Sequence, residues 1–350
     1  MRFTETVVPV LSAAGYPTGT GQLRRFMQRH YTNYNARETL AAARAYEAHV
    51  DAGGRMMVTL SGAMSTAGIG RILARLIRED KVHAITCTGA NLEEDIFLLL
   101  AGKQYEWCPD WRALSAEDEQ AMLDRGMNRV TDTCIPETVM RHLERRLLGL
   151  WKAAERDGTR KFPYEYYWDL FDRDDFVDHF EMPLEDSWMF AAKEKNLPIF
   201  TPGWGDSTCG NVFTAGMIRG EFGHQVVKQD VEAMAFLVDW YKAEGARVTG
   251  TVASGGTPAP GFFQIGGGIA GDFPICAVPL MTQDLRWEDT PCWGYFCQTC
   301  DAPTSYGGYS GAVPNEKITW GKLEVDTPKF MIQSDATIVA PMIFGYVLGD

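Results

Sequence analysis

Met56-Met57-Val58-Thr59-Leu60-Ser61-Gly62 is a short apolar run closed by small residues, and Val82-His83-Ala84-Ile85-Thr86-Cys87-Thr88-Gly89-Ala90 repeats that form further along the chain. Between them, Ile69 to Glu79 sets Ile72, Leu73, Leu76 and Ile77 on one helical face and Arg71, Arg75 and Arg78 on the other. Ala36 to Ala52 has the same helical spacing ahead of the first run, and Glu93-Glu94-Asp95 reads as the opening of a helix after the second. Strand, helix, strand, helix with apolar strands predicts a parallel sheet covered on both faces. Its ligand crevice is expected outside the carboxyl ends of the strands.

The pattern resumes downstream. Leu197-Pro198-Ile199-Phe200-Thr201-Pro202 reads as a strand leading into the small-residue stretch 203–210, a helix is expected over about 226–244, and another strand enters Gly266-Gly267-Gly268. The fold class is therefore α/β: a Rossmann-like, doubly wound, mostly parallel sheet forming one large domain over 1–350, with 1–35 set apart as an N-terminal segment. Residues 103–135, polar and interrupted by proline, are expected to be irregular. The carboxylates Asp169, Asp172, Asp174, Asp175 and Asp178 read as a solvated acidic face, because no glycine-centred loop gathers their oxygens around a cation.

At 350 residues and 45% hydrophobic content the chain can bury a substantial core. Its net charge of −13 opposes a nucleic-acid partner. No apolar run approaches the roughly 18 to 20 residues that span a bilayer, and Met1 to Glu5 lack a basic head followed by an apolar run, so a cytoplasmic protein is expected. Cys87, Cys108, Cys134, Cys209 and Cys276 stand singly, as reduced thiols do. Cys292, Cys297 and Cys300 match the first three ligands of an iron–sulfur spacing, but no fourth follows, and Trp293, Tyr295 and Phe296 between them read as a packed strand. The six histidines show no ligand pairing, so no metal is expected.

The chemistry gathers near the C-terminus, where Pro314-Asn315-Glu316-Lys317-Ile318-Thr319-Trp320-Gly321-Lys322 places a lysine two residues after a tryptophan. An amine held in an apolar pocket is driven toward its neutral, nucleophilic form and can make Schiff bases. Gly266-x-Gly268-x-x-Gly271 has the glycine spacing of a dinucleotide fingerprint. It lies late in the chain, however, and Asp272-Phe273-Pro274 follows where a helix should open, so it reads as a tight turn. Ser61-Gly62, Thr88-Gly89-Ala90 and Gly205 to Thr208 are further small-residue turns after apparent strands, and Ser305 to Gly311 forms a donor-rich loop before Lys322.

Ile318-Thr319-Trp320-Gly321-Lys322-Leu323, Thr88 to Asp95, Thr201 to Asn211 and Ser334-Asp335-Ala336 together resemble the deoxyhypusine synthase family, in one order from about residue 30 to 345. The resemblance implies an NAD-dependent aminobutyl transferase, a homotetramer with sites at subunit interfaces. In that family NAD takes hydride from spermidine, diaminopropane leaves, the butylimine passes to a lysine corresponding to Lys322, and an acceptor amine displaces it as hydride returns. Ser61, Thr88, Gly89, Glu94, Asp206, Thr208, Gly307 and Asp335 are then expected to touch NAD. Trp320 is expected to pack along the polyamine and Glu316 to bind a terminal ammonium.

Three polyamine-contacting positions depart from the family pattern: Asn211 and Tyr309 stand for aspartates, and a histidine is replaced within Asp272-Phe273-Pro274. Each lost carboxylate removes a charge-assisted hydrogen bond of roughly 1.5–3 kcal/mol, and Asp272 restores one charge. Asn211, Tyr309 and Asp272 are thus the remodelled substrate contacts. This resembles the bacterial deoxyhypusine synthase-like branch, in which a small amine such as putrescine is the acceptor and homospermidine the product. The alternatives are modification of a protein lysine, a non-catalytic NAD or polyamine binder, and an amine dehydrogenase that accumulates NADH.

Overall fold

The computed structural model describes residues 21–304 and 307–350, so Met1 to Glu5 and, in the donor-rich loop, Ser305 and Tyr306 lie outside the described residues. Six strands form the central sheet: β1 (Met56–Leu60), β2 (Ala84–Cys87), β3 (Ile199–Phe200), β4 (Gly261–Ile265), β5 (Tyr295–Thr299) and β6 (Lys329–Ile332). Their order is β3-β2-β1-β4-β5-β6 and every neighbouring pair is parallel. This is the Rossmann order, with its switch point between β1 and β4.

The strands are apolar without alternation because both faces are covered. Val58, Ile85, Phe263 and Cys297 enter one core, while their neighbours Met57, Ala84, Phe262 and Phe296 enter the other. Helices α1 (Tyr34–Asp51), α2 (Gly70–Arg78) and, at the C-terminus, Ala336–Leu348 close the first face through Tyr46, Leu73, Ile77 and Phe344. The second face is closed by Asp230–Gly245 and Gly268–Ile275 through Leu237, Tyr241 and Ile275. Phe263 sits between the rings of Tyr46 and Phe344, and truncating it to alanine would cost about 3–5 kcal/mol.

Helix α3 (Gly89–Ala101) begins earlier than the acidic triplet suggested. Thr88 caps it by accepting from the Asn91 amide, which puts Glu93, Glu94 and Asp95 inside the helix and buried. Residues 103–135 are not irregular: Glu106–Trp107, Met127–Val130 and Thr133–Pro136 form a small antiparallel sheet. These strands are short and mostly half-exposed, with Asn128 and Arg129 in their midst, so no apolar period marks them. Asp169, Asp172 and Asp175 pair with Lys161, Lys193, Arg146 and Arg173. Among the described residues no helix is long and apolar enough to cross a membrane.

Two helices complete the frame around the site: α4 (Thr208–Ile218) follows β3 and α5 (Gly268–Ile275) follows β4. The glycine fingerprint does open a helix, contrary to the reading of it as a turn alone. Gly266 and Gly268 have φ of 75° and 55°, the left-handed geometry that glycine enters freely, and they turn the chain from β4 directly into α5 at the switch point. Pro274 is accommodated within that helix, near its end.

Candidate active site

Of the residues expected at the cofactor, Glu94 lies within α3 and the others follow the carboxyl ends of central strands. Ser61 follows β1; Thr88 and Gly89 follow β2; Asp206 and Thr208 follow β3; Gly307 follows β5; Asp335 follows β6. The N-termini of α3, α4, α5 and the C-terminal helix open at this same edge and point the positive ends of their dipoles toward it; the Thr208, Cys209 and Gly210 amides of α4 are already bonded to Glu93 and Ser207, and the Gly268 amide of α5 to Ser310. A Cβ built on Gly62, Gly205 or Gly307 would meet open space, so backbone there is accessible to a ligand. Asp206 and Asp335 are exposed at the edge, and Asp335 also caps the last helix by accepting from the Thr337 amide at 2.8 Å. Amide-rich helix ends suit a pyrophosphate, and exposed carboxylates suit ribose hydroxyls. The residues present fit a dinucleotide.

Several of these groups also hold the fold together. Ser61 Oγ donates to the Gly267 carbonyl, joining the two strands of the switch point. Thr88 Oγ1 donates to the Gly62 carbonyl at 2.7 Å. Glu93 accepts from the Thr208 and Cys209 amides at 2.8 and 2.7 Å and fastens α3 to α4. Glu94 is buried with a single long bond, from the Thr66 amide at 3.3 Å. Burial pushes its carboxyl up to about 7.

Lys322 comes from the opposite end of the sheet. Leu323 forms a parallel bridge to Trp293, just ahead of β5, and the Lys322 carbonyl accepts from the Trp293 amide at 3.1 Å. Its side chain is only 9% exposed. Nζ is 3.5 Å from Asp272 Oδ1 of α5 and 5.8 Å from the ring centroids of both Tyr309 and Trp320. The Asp272 contact is long for a hydrogen bond but within ion-pair reach. Cys276, which caps the end of α5, places Sγ 3.8 Å from the same carboxylate oxygen.

Two buried glutamines position Tyr309. Gln264 of β4 and Gln298 of β5 are adjacent in register and point to the same face as Phe262 and Phe296. Gln264 Oε1 accepts from the Tyr309 hydroxyl at 2.8 Å, Gln298 Nε2 donates to the Ser310 carbonyl, and Ser310 Oγ accepts from the Gly268 amide at 3.1 Å. The loop before Lys322 is thereby tied to the central strands and to the start of α5.

Lys322, Tyr309 and Asp272 come together, with the Trp320 ring at the mouth and 60% exposed. Glu316 is exposed on the short helix Glu316–Thr319, and Asn211 is exposed on α4, in the other half of the strand order. Among the described residues the carboxylate within ion-pair distance of Lys322 is that of Asp272. All eight cysteines are free, and no group of three or more His, Cys, Asp or Glu among the described residues could hold a metal.

The sequence reading passed over Lys317. It is 2% exposed, its Nζ lies 4.8 and 4.9 Å from the ring centroids of Phe296 and Tyr309, and it donates to the Ala312 carbonyl at 3.3 Å. Burial, and after it the charge of Lys322, lowers its amine to about 8. Gln264, Gln298 and Ser310 were also missed. No local pattern marks any of them, because their role arises only when β4, β5 and the 309–311 turn meet.

The chain thus combines a doubly wound sheet, with glycines and exposed carboxylates along the carboxyl ends of its strands, and a buried amine set against an aromatic and a carboxylate. The family model for deoxyhypusine synthase matches residues 24–347. "Probable deoxyhypusine synthase 1" of Archaeoglobus fulgidus is 26% identical over 91% of this chain and 90% of its own length. The "Deoxyhypusine synthase-like protein" of Thermosynechococcus vestitus is 27% identical over 93% of this chain and 78% of its own. The fold is shared with the solved structure titled "Crystal Structure of a putative deoxyhypusine synthase from Entamoeba histolytica", at a TM-score of 0.54 and 12% identity over 95% of both chains. The chain belongs to the deoxyhypusine synthase family and is a transferase of that family.

Proposed function

We propose that this protein transfers the aminobutyl group of spermidine, through an imine on Lys322, to a small acceptor amine such as putrescine, giving homospermidine. The observation that carries this reading is Lys322 Nζ, buried beside Asp272 and under Tyr309. When bound, NAD would supply reversible hydride transfer. Ser61, Thr88, Gly89, Glu94, Asp206, Thr208, Gly307 and Asp335 would hold it, with the N-terminus of α3 facing its phosphates.

The chain's own residues account for the remaining steps. Tyr309 and Trp320 cover the amine and limit the access of water, which would otherwise hydrolyse an imine. Asp272, half-exposed beside Nζ, attracts the cationic substrate and can take or return a proton at nitrogen. Asn211 and Tyr309 offer no charge where carboxylates would hold a longer polycation, which favours a small acceptor. The exposed Trp320 accords with closure by a second copy in a homotetramer, and the eight free cysteines accord with a cytoplasmic setting.

An amine-product assay tests the reading. With NAD and spermidine, addition of putrescine is expected to yield homospermidine and diaminopropane without net NADH. NADH accumulation, or NAD binding with no diaminopropane released, contradicts it. Release dependent on a protein lysine acceptor would replace the small amine.

A further inference from the structure

Gly271, the last glycine of the fingerprint, makes room for a side chain of the same protein. A Cβ built there would lie 2.8 Å from Gln264 Oε1 and 3.0 Å from Tyr309 Cε1, so a larger residue would push the tyrosine off α5. The Tyr309 hydroxyl instead reaches Gln264, which is fully buried in β4. Gln264 Nε2 donates to the Gly266 carbonyl at 2.9 Å, and Oε1 is thereby left to accept from Tyr309 at 2.8 Å. Gln298 Nε2 and the Gly268 amide hold the neighbouring Ser310, and Lys317 Nζ covers the ring 4.9 Å from its centroid. Tyr309 is seated by β4, β5 and α5 together.

The seated ring faces the reactive amine. Lys322 Nζ lies over Tyr309 and over Trp320, 5.8 Å from each centroid, with Asp272 Oδ1 3.5 Å away. The two rings differ in freedom: Trp320 is 60% exposed, with solvent to move into, whereas Tyr309 is bonded to a buried strand. Carbon atoms pack at about 3.5–4.0 Å, so one carbon joined to Nζ fills the space before the Tyr309 ring. A second carbon branching from it toward the ring has none. We propose that Tyr309 is a specificity-determining residue: its fixed ring admits imines whose carbon bears one chain and one hydrogen, as aldehydes and terminal CH2 amines give, and bars those of ketones and α-branched amines. The proposal rests on Lys322 as the imine-forming amine. With a carbonyl compound, the nitrogen lone pair forms the bond to carbon as the C=O bond breaks, and the oxygen leaves as water with both protons of the neutral amine. Cyanoborohydride then gives hydride to carbon, and water gives a proton to nitrogen.

The parent protein, Tyr309→Ala and Trp320→Ala are labelled with butanal or with 3-pentanone and cyanoborohydride, without NAD or polyamine. Adducts are counted by peptide mass spectrometry at Lys322 and at the exposed Lys103. Dividing the ketone-to-aldehyde ratio at Lys322 by that at Lys103 cancels the intrinsic reactivity of the two carbonyls. In the parent this quotient is expected to lie about tenfold or more below one, the effect of forcing a carbon into filled space. Tyr309→Ala is expected to bring it to within about twofold of one by opening that space, and Trp320→Ala to leave it low. Tyr309→Leu serves as a second, smaller wall if alanine disturbs folding. A parent quotient near one, a quotient left low by both Tyr309 variants, or one raised by Trp320→Ala alone overturns the proposal. Because the carbonyls bypass cofactor and donor, a low quotient without polyamine turnover overturns only the aminobutyl-transfer reading, and turnover with a quotient near one overturns only the role of Tyr309.

Discussion

Glu93 and Asp95 of α3 and the lysine pair near the C-terminus are all buried, yet only the two carboxylates are well partnered. Glu93 receives two backbone amides, and Asp95 accepts from Ser187 Oγ and the Met189 amide. Lys317 has one carbonyl, and Lys322 has one carboxylate at a long 3.5 Å. A satisfied buried charge joins elements of the fold, while an under-satisfied one keeps its reactivity. Glu94, with its single long bond, lies between the two.

The comparison is broken most strongly at Lys322. Lys322→Met is expected to abolish turnover by on the order of a thousandfold or more, with the melting temperature kept, as thermal unfolding beside the product assay will show. Asp95→Ala is expected to do the converse. Stranding the Ser187 and Met189 donors should cost about 2–4 kcal/mol, read from denaturant midpoints. Lys317→Met, by contrast, should leave stability unchanged or raised. A loss of stability at Lys317 equal to that at Asp95 would erase the distinction.

The two regions also differ in how pH moves stability. Burial raises the Glu94 and Asp95 carboxyls to about 7, so the folded chain keeps protons that the unfolded chain releases near pH 4. Their contribution is complete below that range and is lost as pH rises through about 7. The Lys317 amine is lowered to about 8, so its contribution is present above the ordinary lysine value of about 10.4 and is lost as pH falls through 8. Unfolding free energy should therefore fall from about pH 4 to 7 and rise from about pH 8 to 10. Asp95→Asn should flatten the first limb and Lys317→Met the second. The smallest effect is expected at Trp320: being exposed, its change to alanine should shift stability by no more than about 0.5 kcal/mol while weakening polyamine use.

Much of the frame was legible because doubly covered strands are continuous apolar runs, as at Met56–Leu60 and Ala84–Cys87. The half-exposed strand Met127–Val130 and its mostly buried partner Thr133–Pro136 were not, since neither period survives in four residues. Glu93-Glu94-Asp95 misled as a helix start because carboxylates usually sit at helix N-termini; here they are buried and bonded to other elements. Lys322 stood out through Trp320 and the family resemblance. Lys317, five residues earlier, drew no reading from the sequence, because its setting exists only once Phe296 and Tyr309 close over it.

The central claim, that Lys322 carries the imine, is tested most directly by trapping. The protein is incubated with NAD and spermidine, reduced with borohydride, digested and read by mass spectrometry. An aminobutyl adduct on Lys322 that requires NAD is the expected result. An adduct on another residue, or none with any polyamine, would contradict the account.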